Sequence, residues 1–138
     1  MHSKDKGDIV EQFVIAHCLK KGWNISKPIG DNQRYDMIID KGDGKLYKVQ
    51  TKKGTIDKHG IIYIYAKSSG YRFDGEGKRI LFNESYSPEE VDFIASYCFE
   101  TNQCYLIKNE GKKTISLRID EPKNHQTRLI KYAKDYII

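Results

Sequence analysis

The first apolar residues of the chain recur every three or four positions, and this spacing predicts an α-helix over residues 8–21. The positions concerned are Ile9, Val10, Phe13, Val14, Ala16 and Leu19. Gly22 follows directly, at the place where a glycine commonly ends a helix. The chain therefore begins with an amphipathic helix that has one apolar face available for packing.

Beyond this helix, β-branched and aromatic residues occur in short runs separated by turn residues, which is typical of β-strands. The runs predict strands at residues 23–26, 34–40, 45–52, 61–66, 91–99, 103–108 and 114–119. The Gly-rich segment 41–44 predicts a hairpin between the second and third strands, and residues 100–102 predict another turn.

The remaining segments complete the predicted order of elements. The polar residues 67–78 predict a surface loop, and the Ser-Pro-Glu-Glu segment 87–90 predicts one helical turn. After Pro122, apolar residues recur on one face and predict a C-terminal helix that begins near Asn124. The order of helix, strands, short turn, strands and helix predicts an α/β fold with a mixed central β-sheet flanked by helices.

Length and composition predict a single domain over residues 1–138, since this length encloses one hydrophobic core and no repeat or linker divides the chain. The three cysteines match neither a disulfide framework nor a paired zinc site, so reduced thiols are expected. No segment has the length and apolar character of a membrane span or signal peptide, and a cytoplasmic location is expected. The net charge of +5 favours a polyanionic partner.

Polar residues on two neighbouring strands suggest a reactive site. Alternate side chains of a strand share one face about 7 Å apart, so Gln50 and Lys52 project together. Asp36, on the preceding strand, can project to the same side if the hairpin register allows it. A carboxylate, an amide oxygen and the backbone carbonyl of Thr51 are oxygen ligands of the kind that Mg²⁺ prefers. With an ammonium beside them, they suit phosphodiester hydrolysis.

These residues also carry a resemblance. Gly7-Asp8-x-x-Glu11, then Tyr35-Asp36, then Val49-Gln50-x-Lys52 with Gly54 shortly after resembles the PD-(D/E)XK nuclease superfamily. The chain is most similar to the branch that includes a group I intron homing endonuclease, in which glutamine replaces the usual second acid. The resemblance covers most of the chain, and its later part matches more loosely.

The resemblance implies a role for each matching residue and a mixed sheet flanked by helices. Asp36 would be the principal metal ligand, Gln50 would take the second ligand position, Lys52 would be the catalytic lysine, and Glu11 would be a helix-borne acid near the metal. The metal would be Mg²⁺, with Mn²⁺ as a substitute. The sequence departs from the family at Tyr35, where the family has proline, and at the neutral Gln50, so a contribution from Glu11 is expected.

Basic residues supply the candidates for contact with DNA phosphates, and a solvated charged face explains them equally well. They are Lys53, Lys58, Lys67, Arg72, Lys78 and Arg79. A sequence-reading strand pair is expected first between residues 63 and 79. The favoured interpretation is a Mg²⁺-dependent endonuclease of double-stranded DNA, of homing type, acting as a homodimer or homotetramer. A Holliday junction resolvase acting on branched DNA, a non-catalytic DNA-binding module and an RNA-binding protein are the alternatives.

Overall fold

The structure, a computed structural model, describes residues 2–120 and 129–138 of the chain. These residues form one α-helix, nine β-strands and one short 3₁₀-helix. The elements are α1 (Ser3–Lys20), β1 (Asn24–Ser26), β2 (Met37–Asp40), β3 (Leu46–Ile56), β4 (Ile61–Tyr65), β5 (Lys67–Phe73), β6 (Arg79–Ser85), β7 (Phe93–Cys98), β8 (Gln103–Lys108), β9 (Thr114–Arg118) and the 3₁₀-helix Ala133–Asp135.

Helix α1 confirms the helix predicted from the apolar spacing and begins five residues earlier, at Ser3. Its N-terminus is capped by His2, whose imidazole accepts a hydrogen bond from the backbone N–H of Lys4. Gly22 ends the segment with a φ of 82°, a left-handed conformation that a residue without a side chain adopts at little cost. Val10, Val14 and Cys18 lie on the buried face.

The main sheet has seven strands and is mixed, as predicted. The order β1-β2-β3-β4-β9 is antiparallel throughout. Strand β7 pairs in parallel with β3 over residues 49–54 and antiparallel with β8. The 11 residues of β3 therefore contact three neighbours, which makes β3 the central strand of the fold.

Within residues 2–120 and 129–138, an α-helix flanks the sheet on one side only, so the prediction of flanking helices is correct in part. Helix α1 packs against Met37, Val49 and Leu106 on the first face. The second face carries a separate core that includes Ile62, Ile94, Tyr105 and Leu117.

The predicted C-terminal helix is wrong over residues 129–138, and its start near Asn124 lies outside the described residues. The segment runs along the sheet instead. Tyr105 forms a bridge with Ile137, and Arg118 forms one with Tyr132. Backbone hydrogen bonds join Lys131, Tyr136 and Ile138 to strands of the sheet, while Ala133 packs into the second core. Helical apolar spacing was therefore misleading here, because long-range pairing outweighed local preference.

The loop predicted over residues 67–78 is wrong for residues 67–73, which form a strand, and correct only for the turn at residues 74–78. Strands β5 and β6 pair antiparallel over seven residue pairs and form a two-stranded ribbon apart from the main sheet. Asp74 closes the connecting turn, since its Oδ1 accepts hydrogen bonds from the backbone N–H groups of Glu76 and Lys78. Two serines and one glycine in β5 obscured the strand preference of the aromatic residues beside them.

Two smaller predictions met different outcomes. Residues 87–90 form a turn closed by reciprocal hydrogen bonds between Ser87 and Glu90, without a helix. The cysteines are buried and free of disulfides, as expected. Burial raises the pKa of Cys18 to about 11 and that of Cys104 to about 12, so both remain protonated thiols at neutral pH. Within the described part of the chain, no helix meets the length and apolarity needed to cross a membrane.

Asn109 is a buried polar residue that holds the segment leading into β7. Its side-chain amide donates to the carbonyls of Tyr86, Ser87 and Val91 at 2.9, 3.2 and 2.9 Å. We expect Asn109→Ala to lower the free energy of unfolding by about 2–3 kcal/mol, because it leaves buried carbonyls unsatisfied. Urea unfolding measures this loss. The exposed Asn32→Ala serves as control, with an expected change below about 0.5 kcal/mol, and equal midpoints for the two variants would contradict this role of Asn109.

Candidate active site

Asp36 lies one residue before β2, next to the middle of β3. Continuing the β2–β3 register by one residue sets Asp36 beside Gln50. The backbone N–H of Asp36 donates to the carbonyl of Val49 at 2.8 Å. Its carboxylate oxygen Oδ2 accepts hydrogen bonds from the backbone N–H of Thr51 at 3.0 Å and from the Thr51 hydroxyl at 2.7 Å. These three bonds fix the position of the carboxylate before any ligand binds.

Glu11 and Asp36 line one cleft between α1 and the start of β2, with a volume of about 240 Å³. The Glu11 side chain is 19% exposed and forms an ion pair with Lys27, which is 51% exposed and lines the same cleft. The pKa of Lys27 is raised, mainly by its hydrogen bond to Glu11, with the negative charges of Glu11, Asp36 and Asp8 adding to the effect. The cation that a half-buried carboxylate requires is therefore a lysine of the same chain.

Gln50 and Lys52 alternate with Thr51 along β3, so their side chains leave the strand on the face opposite to that of Thr51. The Lys52 ammonium donates to the backbone carbonyl of Lys67 at 3.0 Å and lies 5.4 Å from the ring centroid of Tyr86. The Gln50 side-chain amide lies 3.4 Å from the Thr51 carbonyl, to which it donates. Lys52 is thus held at the point where the ribbon leaves the sheet.

The predicted site residues occupy three adjoining elements. Asp36 contacts Thr51, Gln50 contacts Thr51, and Glu11 shares the cleft with Asp36. Across residues 2–120 and 129–138, no group of three or more His, Cys, Asp or Glu side chains is placed to hold a metal. A metal site here would thus combine two carboxylates with amide and carbonyl oxygens. Such a donor set fits Mg²⁺ or Mn²⁺, which bind hard oxygen ligands and retain several waters, provided that Lys27 leaves Glu11.

The predicted DNA-contacting residues fall into two groups. Lys53 is an exposed residue of β3 and Lys58 lies in the turn before β4. Lys67, Arg72 and Arg79 lie on the strands of the β5–β6 ribbon, and Lys78 lies in the turn that joins these strands. Arg72 is paired with Glu84 at 3.4 Å. The ribbon therefore collects most of the basic residues that the sequence suggested for DNA.

Two residues that the sequence analysis missed lie next to the predicted set. One is Lys27, described above. The other is Arg34, which donates to Glu90 at 3.1 Å and to the carbonyl of Ser85 at 3.2 Å, and lies 4.4 Å from the ring centroid of Tyr86. Glu90 is 56 residues further along the chain. Contacts over such separations leave no periodic signal in the sequence.

Comparison with known proteins decides the family. The sequence model of the PD-(D/E)XK endonuclease family matches residues 1–138. The chain belongs to the PD-(D/E)XK endonuclease family. Among solved structures, it is similar to a bacterial homing endonuclease, I-Ssp6803I, with 27% sequence identity and a TM-score of 0.73. The alignment covers 99% of this chain and 89% of that one. A search of curated proteins gave no significant match.

These findings confirm the resemblance drawn from the sequence, and membership of this family supports a nuclease. The sequence predicts that Asp36 takes the place of the first acid of the family motif, Lys52 that of the lysine, and Gln50 that of the second acid. In the structure, Asp36 lies one residue before β2, and Gln50 and Lys52 lie in the middle of β3. The predicted positions therefore adjoin Thr51, which donates two hydrogen bonds to Asp36.

Lys27 competes with any cation for Glu11, which gives a prediction for this PD-(D/E)XK endonuclease. Lys27→Met is expected to tighten Mn²⁺ binding about two- to fivefold, because a partly exposed ion pair contributes up to about 1 kcal/mol. Calorimetry without DNA measures this affinity. Lys20→Met, at the exposed end of α1, removes the same charge away from the cleft and should change it less. Equal affinities in both variants would show that Lys27 acts only through net charge.

Proposed function

We propose that this protein is a divalent-metal-dependent endonuclease that hydrolyses phosphodiester bonds in double-stranded DNA. The observation that carries the proposal is the carboxylate of Asp36, fixed by two hydrogen bonds from Thr51, the residue between Gln50 and Lys52 on β3, in a chain of the PD-(D/E)XK endonuclease family. The net charge of +5 supports a polyanionic substrate. Similarity to a bacterial homing endonuclease supports a homing-type enzyme within this class.

The residues of the candidate site have separate roles in this proposal. Asp36 and Glu11 would hold the divalent ion with their carboxylates, and the Thr51 carbonyl and Gln50 amide oxygen would be further protein ligands. A Mg²⁺ or Mn²⁺ ion bound there would supply activation of water and stabilisation of charge on the phosphate. The Thr51 N–H and hydroxyl keep Asp36 oriented, so that little reorganisation is needed when the ion binds.

Lys52 supplies a positive charge that is positioned independently of the carboxylates. The carbonyl of Lys67 and the face of the Tyr86 ring hold its ammonium in place, with no carboxylate at either contact. The ammonium is therefore available to a phosphate oxygen that becomes more negative during hydrolysis, or to the attacking water.

Cutting both strands of a duplex with one site per chain requires two protomers or two successive nicks. We propose a homodimer or a homotetramer, because closed symmetric assemblies match the two-fold relation of the strands. Sedimentation of the protein on duplex DNA tests this part of the proposal. A complex with a single protomer that still makes double-strand breaks would contradict it.

A non-catalytic DNA-binding module is the second candidate, since Gln50 is neutral and Glu11 is already paired with Lys27. Incubation with supercoiled plasmid, linear duplex and four-way junction in Mg²⁺ or Mn²⁺ separates the candidates. Nicked or linear products that disappear with a chelator support the endonuclease, and preference for the junction would indicate a resolvase. Intact DNA of every form in both metals would favour the non-catalytic module.

A further inference from the structure

The β5–β6 ribbon leaves the main sheet at the candidate active site. At its first residue, the carbonyl of Lys67 accepts the hydrogen bond from Lys52. At its last residue, the carbonyl of Ser85 accepts a hydrogen bond from Arg34, whose guanidinium packs on the next residue, Tyr86. Both ends of the ribbon are therefore anchored beside the catalytic lysine. A DNA segment at the active site would lie within reach of the ribbon.

The pairing register divides the ribbon into two faces. Residues opposite each other on antiparallel strands share a face, and alternate residues along each strand share it too. The front face carries Lys67, Ser69, Tyr71, Phe73, Arg79, Leu81, Asn83 and Ser85. The back face carries Ser68, Gly70, Arg72, Ile80, Phe82 and Glu84.

The side chains of the back face contact one another and the ribbon backbone. Arg72 pairs with Glu84 at 3.4 Å and lies 5.5 Å from the ring centroid of Phe82. The same ring covers Gly70, since a Cβ at that glycine would lie 2.9 Å from the ring. The basic charge of this face is neutralised, and its aromatic ring already packs against the ribbon backbone.

The front face is open and carries no acidic residue. Tyr71 is 56% exposed and Leu81 is 73% exposed. The Arg79 guanidinium lies 4.6 Å from the ring centroid of Tyr71, which directs it across this face. Ser69 and Asn83 lie directly opposite each other and, like Tyr71, Arg79 and Leu81, line a shallow hollow of about 540 Å³, to which Gly70 and Phe82 also contribute.

We infer that the front face of the β5–β6 ribbon enters the major groove of DNA and reads base edges through Arg79 and Asn83. The inference rests on the proposed function and names the part of the protein that selects its substrate. A two-stranded β-ribbon fits the major groove, where arginine pairs with guanine and asparagine with adenine. Leu81 offers apolar contact to a thymine methyl group. The absence of acidic residues on this face favours the approach of phosphates on either side of the groove.

Cleavage of short duplexes with a randomised centre tests the inference, with the cut ends sequenced. Wild-type protein should yield a base preference around the cut. Arg79→Ala and Asn83→Ala should each reduce the discrimination at one base pair by about 5- to 150-fold, while cutting of plasmid continues. Arg72→Ala is the matched control: it removes an arginine from the back face, so any loss of overall DNA affinity should leave the base preference unchanged at every position.

The experiment distinguishes a ribbon that does not read bases from a protein that does not cut DNA. Preferences unchanged in Arg79→Ala and Asn83→Ala, with DNA still cut, would overturn the inference and leave the proposed function standing. If the wild type cuts nothing, selection of bound duplexes from the same pool replaces cleavage as the readout. Loss of the selected bases in the two front-face variants then supports the inference, and identical selections overturn it. Dissociation of an oligomer in these variants without loss of preference would show instead that the front face joins copies of the chain.

Discussion

The variant Asp36→Asn is expected to lower the rate of DNA cleavage by about 10³-fold. The metal that Asp36 is proposed to hold contributes several kcal/mol, and each 1.4 kcal/mol corresponds to about tenfold in rate. Asparagine keeps an oxygen that can accept the hydrogen bonds from Thr51, so the fold should persist. The measurement is the rate of plasmid nicking at saturating Mn²⁺, with circular dichroism to verify folding.

Asp40→Asn is the matched control for Asp36→Asn. Asp40 ends β2, and its side chain accepts a hydrogen bond from the backbone N–H of Gly42, away from the cleft. The same loss of one negative charge should leave nicking within about twofold of the wild-type rate, as expected for a surface position outside the site. Comparable losses in the two variants would show that net charge, and not the Asp36 site, governs the rate.

Lys52→Met is expected to lower the cleavage rate by about 10²- to 10³-fold while DNA affinity changes little. Methionine retains most of the apolar stem against Tyr86 but removes the charge. Lys52→Arg should not restore the rate, because a planar guanidinium cannot reproduce the position of a compact ammonium. Single-turnover cleavage measures the chemical step, and a binding titration without metal measures affinity.

Lys53→Met provides the contrast at the neighbouring position. Lys53 is exposed and is a candidate for contact with a phosphate, so its loss should weaken binding and reduce the salt dependence of affinity by about one unit of slope. The single-turnover rate on saturated DNA should remain near that of the wild type. A rate loss as large as that of Lys52→Met would remove the distinction between the catalytic lysine and its neighbour.

Local features of the sequence were sufficient to predict the centre of the fold. The apolar spacing of α1 and the hairpin between β2 and β3 depend on residues close together in the chain, and the structure confirms both. The same locality explains why Asp36, Gln50 and Lys52 were identified together, since a single hairpin brings them near one another. The Asp36→Asn and Lys52→Met variants test the roles proposed for these residues.

Features that depend on distant pairing were not predictable. The C-terminal segment lost its predicted helix because its backbone bonds to β8 and to the end of β9, more than ten residues earlier in the chain. The two strands of the ribbon were not predicted, because glycine and serine residues give β5 a weak local strand preference. Lys27 entered the site through an ion pair with Glu11, a residue of another element. Each of these contacts is fixed by tertiary structure, on which local composition carries little information.

The proposed site has one acid fewer than the family motif because Gln50 is neutral, so metal binding is expected to rely on Glu11. In this structure Glu11 is paired with Lys27. Metal affinity is therefore expected to depend on how readily Lys27 leaves Glu11. We expect this exchange to separate an active nuclease from a chain that only binds DNA.

The central claim is that the cleft between α1 and β2 holds the divalent ion used for DNA cleavage. Calorimetric titration of Mn²⁺ into the wild-type protein and into Asp36→Asn, without DNA, tests it most directly. Saturable binding by the wild type that is weakened at least tenfold in Asp36→Asn is the predicted result, since loss of a direct carboxylate ligand should cost no less than loss of an outer-shell partner. Absence of binding by the wild type, or equal binding by both proteins, would contradict the claim.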